Sequence, residues 1–236
     1  MRRWCSLLAI PFLLGPSACG QVDYDAAPVG KFEGSVILMW VDETRKRAGD
    51  GTFVYVPSKE PLVFIPSENG AWKKPIKPAM IYTDGASVPA LLQPIPGFSP
   101  WGYAQAYMVH DWLFVANRCL TDGAAKDAEK DIDGMKFRQS AQIMAEMVKT
   151  MFEEGTVTPN DAAGRAISSA VAGPISRRLW DQRGACGAQR IKPQHRDQIE
   201  RALGGPRAGF LRQRGVRPAT IVAVFTAGQP GTRRRP

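Results

Sequence analysis

Residues 79–89 read A-M-I-Y-T-D-G-A-S-V-P and residues 103–117 read Y-A-Q-A-Y-M-V-H-D-W-L-F-V-A-N; between them the chain changes its hydrophobic period. Before this point lie short runs rich in β-branched and aromatic residues: S-V-I-L-M-W-V at 35–41, T-F-V-Y-V at 52–56 and P-L-V-F-I at 61–65. Such runs, bounded by Gly, Pro and charged residues, predict strands. The charged stretch 43–51 ends Gly49-Asp50-Gly51 and suits a hairpin between the first two. The stretch 67–78, with Asn69-Gly70 and two prolines, reads as a loop, and 79–82 as a further strand. Past residue 103 the apolar positions recur at i, i+3, i+4 and i+7: Tyr103, Ala106, Tyr107, His110, Leu113 and Phe114. A second helix is predicted over 137–153, with Ile143, Met144, Met147, Val148 and Met151 on one stripe. Asn160 or Asp161 caps a third that runs towards Trp180 and breaks at Gly173-Pro174, and 194–203 forms a short polar helix. Strands followed by helices predict an α+β fold in a single domain, N-terminal antiparallel strands packed with C-terminal helices.

Two polar clusters interrupt this apolar pattern. In the first, 83–89, Asp84 either accepts the amides of Ala86 and Ser87 in an Asx-turn or aims its carboxylate at a pocket or at His110. Ser87 lacks the G-x-S-x-G elbow of a hydrolase nucleophile. In the second, His110 and Asp111 are neighbours on a helix, pointing about 100° apart, so they cannot pair with one another. Asp84 and Ser87 are candidate partners of His110, and Arg118, seven residues past Asp111, is a candidate partner of that acid. An imidazole beside a carboxylate among aromatic residues suits a general base, a metal ligand or a structural hydrogen bond. Asp122, Asp127, Asp131 and Asp133 lack EF-hand spacing and read as a solvated loop. His195, in a polar context, reads as a surface residue.

T-D-G-A-S-V-P at 83–89, H-D-W-L-F at 110–114 and I-M-A-E-M-V-K-T at 143–150 together resemble an uncharacterised bacterial and phage family catalogued as domain of unknown function 1353. The resemblance covers about residues 32–152. It falls on Thr83, Asp84, Ala86, Ser87, Pro89, His110, Asp111 and Leu113. Phe114 stands where the family usually carries Tyr, and Ala141 near where an acid is expected. The resemblance implies a domain and no particular reaction.

The first 18 residues predict an export signal. Arg2 and Arg3 precede an apolar run over 4–14, too short to span a bilayer. Ser17-Ala18-Cys19 resembles a lipobox, which makes Cys19 the lipidation site and 19–31 a tether; cleavage after Ala18 into a soluble secreted form is the alternative. The net charge of +9 is uneven. Eight arginines and no acids fall between Arg201 and Pro236, whereas 20–200 holds 21 basic against 22 acidic residues. The expected organisation is therefore a globular domain over 32–203 and a basic, disordered tail over 204–236, with 221–225 as an edge strand. A body near neutrality without an aromatic-studded basic groove excludes nucleic acid as the expected partner. In an oxidising compartment Cys119 and Cys186 either pair as a disulfide, closing a loop of roughly 68 residues, or remain inert thiols.

The residues thus lead to an exported, lipid-anchored cell-envelope protein whose partner is the membrane and which needs no cofactor or metal. Two readings of its site stand side by side. In one, a hydrolase-like centre uses His110 as general base, oriented by Asp84, with Asp111 and Ser87 shaping the pocket. In the other, a non-catalytic envelope scaffold or prophage-derived module uses the same residues as a structural latch.

Overall fold

The run S-V-I-L-M-W-V carries almost no polar residue because both of its faces are buried. A computed structural model describes residues 22–42, 51–83, 101–228 and 232–233. In it this run forms β2 (Ser35–Asp42), preceded by β1 (Lys31–Glu33) and followed by β3 (Gly51–Pro57), β4 (Val63–Ile65) and β5 (Ile81–Thr83). The helices are α1 (Ala104–Thr121), α2 (Asp127–Lys130), α3 (Phe137–Glu153), α4 (Asp161–Val171), α5 (Pro174–Trp180), α6 (Cys186–Gln189), α7 (Pro193–Leu203) and α8 (Ala208–Gln213). Two strands close the chain, β6 (Thr220–Thr226) and β7 (Thr232–Arg233). The main sheet has the order β5-β3-β2-β6-β7 and every pairing is antiparallel; β1 and β4 form a separate two-stranded ribbon. The protein is one α+β domain.

Alternation along β2 and β3 explains the layers. Val36 and Leu38 on β2 and Tyr55 on β3 join the larger core, with Phe53 packed against it; that core also holds the buried faces of α1 and α3. Met39 and Val41 on β2, with Val54 and Val56 on β3, point the other way. They pack on Ile191, Ile199 and Ala219, that is, on α7 and its flanks. A strand with period-two side chains that is apolar at every position needs both faces covered. Gln198 of α7 fixes this second cover: its amide donates to the Asp42 carbonyl at 2.7 Å, and its oxygen accepts the Asp42 N–H at 3.0 Å.

Local signals place the helices. The stripe Ile143, Met144, Met147, Val148 and Met151 of α3 is buried throughout. The Asn160 side chain accepts the Ala163 N–H at 3.0 Å and so caps α4. Pro174 then sits in the first turn of α5, where its missing N–H leaves no helical bond unmade. The α4–α5 corner at Gly173-Pro174 bounds the cavity described below.

Two expected boundaries need correction. The stretch 19–31 is no tether over its described part: Val22 and Tyr24 are buried. Tyr24 packs so closely on α4 that a Cβ at Gly164 would run into its ring. The Gly30 N–H donates to Thr150 Oγ1 of α3 at 2.9 Å. Nor does order end at residue 203. The region 204–236 contains α8, and β6 lies inside the sheet, pairing with β2 from Ser35↔Thr226 to Trp40↔Thr220. It is no edge strand, since β7 flanks it. Positive charge misled the reading: five arginines decorate 201–217, yet I-V-A-V-F at 221–225 supplies apolar side chains on the sheet's inner face. Cys19 and the export signal lie outside the described residues.

Because Phe225 is buried against the main core, Phe225→Ala should lower stability by about 3 kcal/mol in urea unfolding. Truncation after Leu203 should abolish the cooperative transition. A detachable tail would leave both unchanged.

Candidate functional site

Helix α1 is buried at Gln105, Tyr107 and His110 as completely as at its apolar positions, so its polar groups meet the interior. One side of it, formed by His110, Asp111, Phe114, Val115 and Arg118, lines a cavity of about 880 Å³. The spacing explains the shared side: residues three, four and seven apart lie on one helix face. Across the cavity stand the end of α4, the 173–176 corner and Leu179 of α5. Tyr82 and Thr83 of β5, Thr52 of β3, and Ala188 and Gln189 of α6 complete the described lining. The cavity therefore sits where the last described residue of the T-D-G-A-S-V-P motif meets the H-D-W-L-F motif.

His110 is 4% exposed, and its ring lies 4.9 Å from that of Phe114. Burial lowers its pKa to about 4, so the imidazole is neutral at physiological pH. Among the described residues its Nε2 has no hydrogen-bond partner. The same holds for the hydroxyls of Tyr103 and Tyr107 and for both amide atoms of Gln105. Burial, with Asp111 nearby among the further causes, pushes the Tyr107 phenol upward, so it stays protonated. Asp111 reaches Arg118 electrostatically as expected, opposing the downward push of burial on the guanidinium. Arg118 Nε donates to the Leu179 carbonyl at 2.9 Å, and Asn117 Nδ2 to the Trp180 carbonyl at 2.9 Å. These two bonds hold the end of α5 against α1.

Cys119 and Cys186 form a disulfide, which resolves the alternatives left open for them. It fastens α6, and with it Ala188 and Gln189, to α1 beside Arg118. Asp122 reinforces the join: its carboxylate accepts the N–H groups of Gly184 (2.7 Å) and Cys186 (3.0 Å), which lower its pKa. Asp122 is thus held in a structural contact. Among the described residues no three His, Cys, Asp or Glu side chains gather into a cation site.

The sequence placed His110 and Asp111 on one helix, and both line the cavity. Asp84 and Ser87 lie outside the described residues; Thr83, which precedes them, lines the cavity. His195 corrects the expectation of a surface residue: it is 1% exposed, and its Nδ1 lies 2.8 Å from the hydroxyl of Tyr82. Tyr82 also accepts the Lys192 N–H at 2.8 Å, so this lining residue is held rigidly from behind. Sequence reasoning missed Tyr82 and Gln189, because neither lies in a motif and only the packing of β5 and α6 brings them in. It also missed Glu146, a buried acid of α3 outside the cavity lining, which accepts the Ser67 N–H and organises the 67–70 turn. Burial raises the pKa of Glu146 against the opposing pull of that bond.

No family model, curated protein or solved structure matches this chain.

The buried imidazole sets a pH dependence. Above about pH 6.5 it is neutral in the folded and the unfolded chain and contributes nothing. Below that, the unfolded chain takes up a proton that the folded one refuses until about pH 4. Stability contributed by this group therefore falls as pH drops through that window, by about 3 kcal/mol in all. Denaturant unfolding at pH 7 and pH 4.5 should show this loss in the natural chain and a much smaller one in His110→Gln.

Proposed function

We propose that this chain is an exported, lipid-anchored cell-envelope protein, a divergent member of the family whose paired motifs it carries, and that its cavity is a hydrolytic site with His110 as general base. The observation that supports this reading is the state of His110: a neutral, buried imidazole lining a cavity beside a carboxylate, with Nε2 unpartnered among the described residues. A latch would spend the imidazole on a fixed hydrogen bond, because an unmet buried polar atom costs about 1–3 kcal/mol. A base needs its acceptor nitrogen available. Anchoring rests on the Ser17-Ala18-Cys19 signal; no described helix is long and apolar enough to cross a membrane.

The chemistry follows from neutrality. A water held between His110 and Asp111 gives a proton to the imidazole as its oxygen bonds to the carbonyl carbon of an ester or amide. The tetrahedral adduct then breaks its bond to the leaving group, which receives that proton from the imidazolium. Asp111, on the same cavity wall, orients the water; Asp84, next to Thr83 in the chain, is our choice for fixing the ring.

Hydrolysis of 4-nitrophenyl butyrate by the purified domain tests this. kcat/KM should rise with an inflection near pH 4 and stay level to pH 8, since only the neutral imidazole accepts a proton. His110→Asn should lower it by roughly 10²–10⁴-fold while leaving the fold intact. Equal turnover in that variant, or none in the natural chain, would overturn the proposal. In cells, Cys19→Ser should abolish incorporation of labelled palmitate and release the protein from the membrane fraction.

A further inference from the structure

We propose that the occupant of this cavity is a single-chain acyl ester or amide, its carbonyl carbon set beside the water activated by His110 and its alkyl chain running along α1 to an apolar lip on α5. The inference rests on the hydrolytic reading above and adds the substrate class. Three observations carry it. First, the described lining runs along α1 from His110 and Asp111 past Phe114 and Val115 to Arg118. Asn117 and Arg118 bond to the end of α5, whereas His110 and Asp111 stand about two turns earlier on the helix. At 1.5 Å per residue the two levels are about 12 Å apart, so an occupant spanning them is elongated. Between them the walls are Phe114, Val115 and Val171.

Second, among the described lining residues the charged side chains are Asp111 and Arg118, one of each sign. They offset one another, which favours an occupant whose chain is uncharged over a phosphate or a polyanion. Third, the lip is exposed and apolar. Ile175 is 77% exposed and Leu179 is 44% exposed, and both belong to the cavity wall. They stand four residues apart on α5, on the same side of the helix. Two large aliphatic side chains left in water at the mouth of an apolar-walled cavity gain burial only when an apolar chain lies against them. Arg178 between them is exposed, and it suits a mouth that meets an amphiphile at an anionic membrane surface.

Chain length is the test. The 4-nitrophenyl esters of acetate, butyrate, hexanoate and octanoate are assayed below their micellar concentrations, and binding of octan-1-ol and of ethanol is measured by calorimetry. kcat/KM should climb by roughly threefold per methylene, since each buried CH₂ contributes a constant increment. Octan-1-ol should bind and ethanol should not. Ile175→Ser/Leu179→Ser should lose most of the octanoate advantage, bringing the octanoate-to-acetate ratio of kcat/KM close to one. Turnover of all four esters without chain-length dependence would overturn the acyl assignment and leave the hydrolytic reading standing. Binding of octan-1-ol that is lost in the double variant, without turnover of any ester, would overturn the hydrolytic reading and leave the acyl occupant standing. Absence of both would overturn both.

Discussion

Strand β2 lies between two apolar layers, and the rest of the molecule is arranged to keep it dry. Its even-numbered side chains meet the core shared with α1 and α3, and its odd-numbered ones meet the core covered by α7. A strand of this kind cannot sit at an edge or on a one-sided sheet without exposing half of its apolar surface. Pairing on one side comes from β3 and on the other from β6, almost two hundred residues later in the chain. The C-terminal segment is therefore part of the fold in spite of its arginines. The bidentate contact of Gln198 with the Asp42 backbone shows how closely the second layer is tied to the strand.

With the sheet covered on both faces, α1 is enclosed nearly all round, and that enclosure gives its polar residues their properties. On an exposed helix His110 would titrate near neutrality. Here burial among Phe114 and its neighbours keeps the ring neutral down to about pH 4. The chain breaks at Gly173-Pro174, where α4 has ended and α5 starts, and this corner lines the cavity opposite α1. Arg118, Asn117 and the Cys119–Cys186 disulfide then brace that corner and α6 against the helix. The site is thus walled by elements that several independent bonds hold in place.

Much of this could be read from the residues in order. The strands at 35–41 and 52–56, the helix at 137–153, the cap at Asn160 and the break at Pro174 each depend on local pattern, and each is found where the pattern puts it. His110 and Asp111 were legible as a pair because a histidine and an acid inside an apolar helix are conspicuous. The failures have a common physical cause. The segment 22–30 and the region after 204 were read from composition as unstructured, yet Tyr24 docks on Gly164 and Phe225 docks in the core. Composition reports mean polarity, whereas one buried aromatic or one short apolar strand is enough to fix a segment to a surface prepared for it. His195 was misread for the same reason: its neighbours in sequence are polar, and its neighbour in space is the ring of Tyr82.

The amino-acid sequence alone determined the periodicities, and hence which stretches are strand and which are helix. It also determined the ends of those stretches and the two motifs that meet at Thr83 and His110. These are properties of residues a few positions apart, governed by backbone sterics and by which face of an element is apolar. Tertiary structure alone decided that β6 completes the sheet, that Cys119 finds Cys186, and that Tyr82, Ile175 and Gln189 share a cavity with His110. Those meetings join residues separated by tens to nearly two hundred positions, and what selects them is the fit of two buried surfaces, which no local pattern encodes.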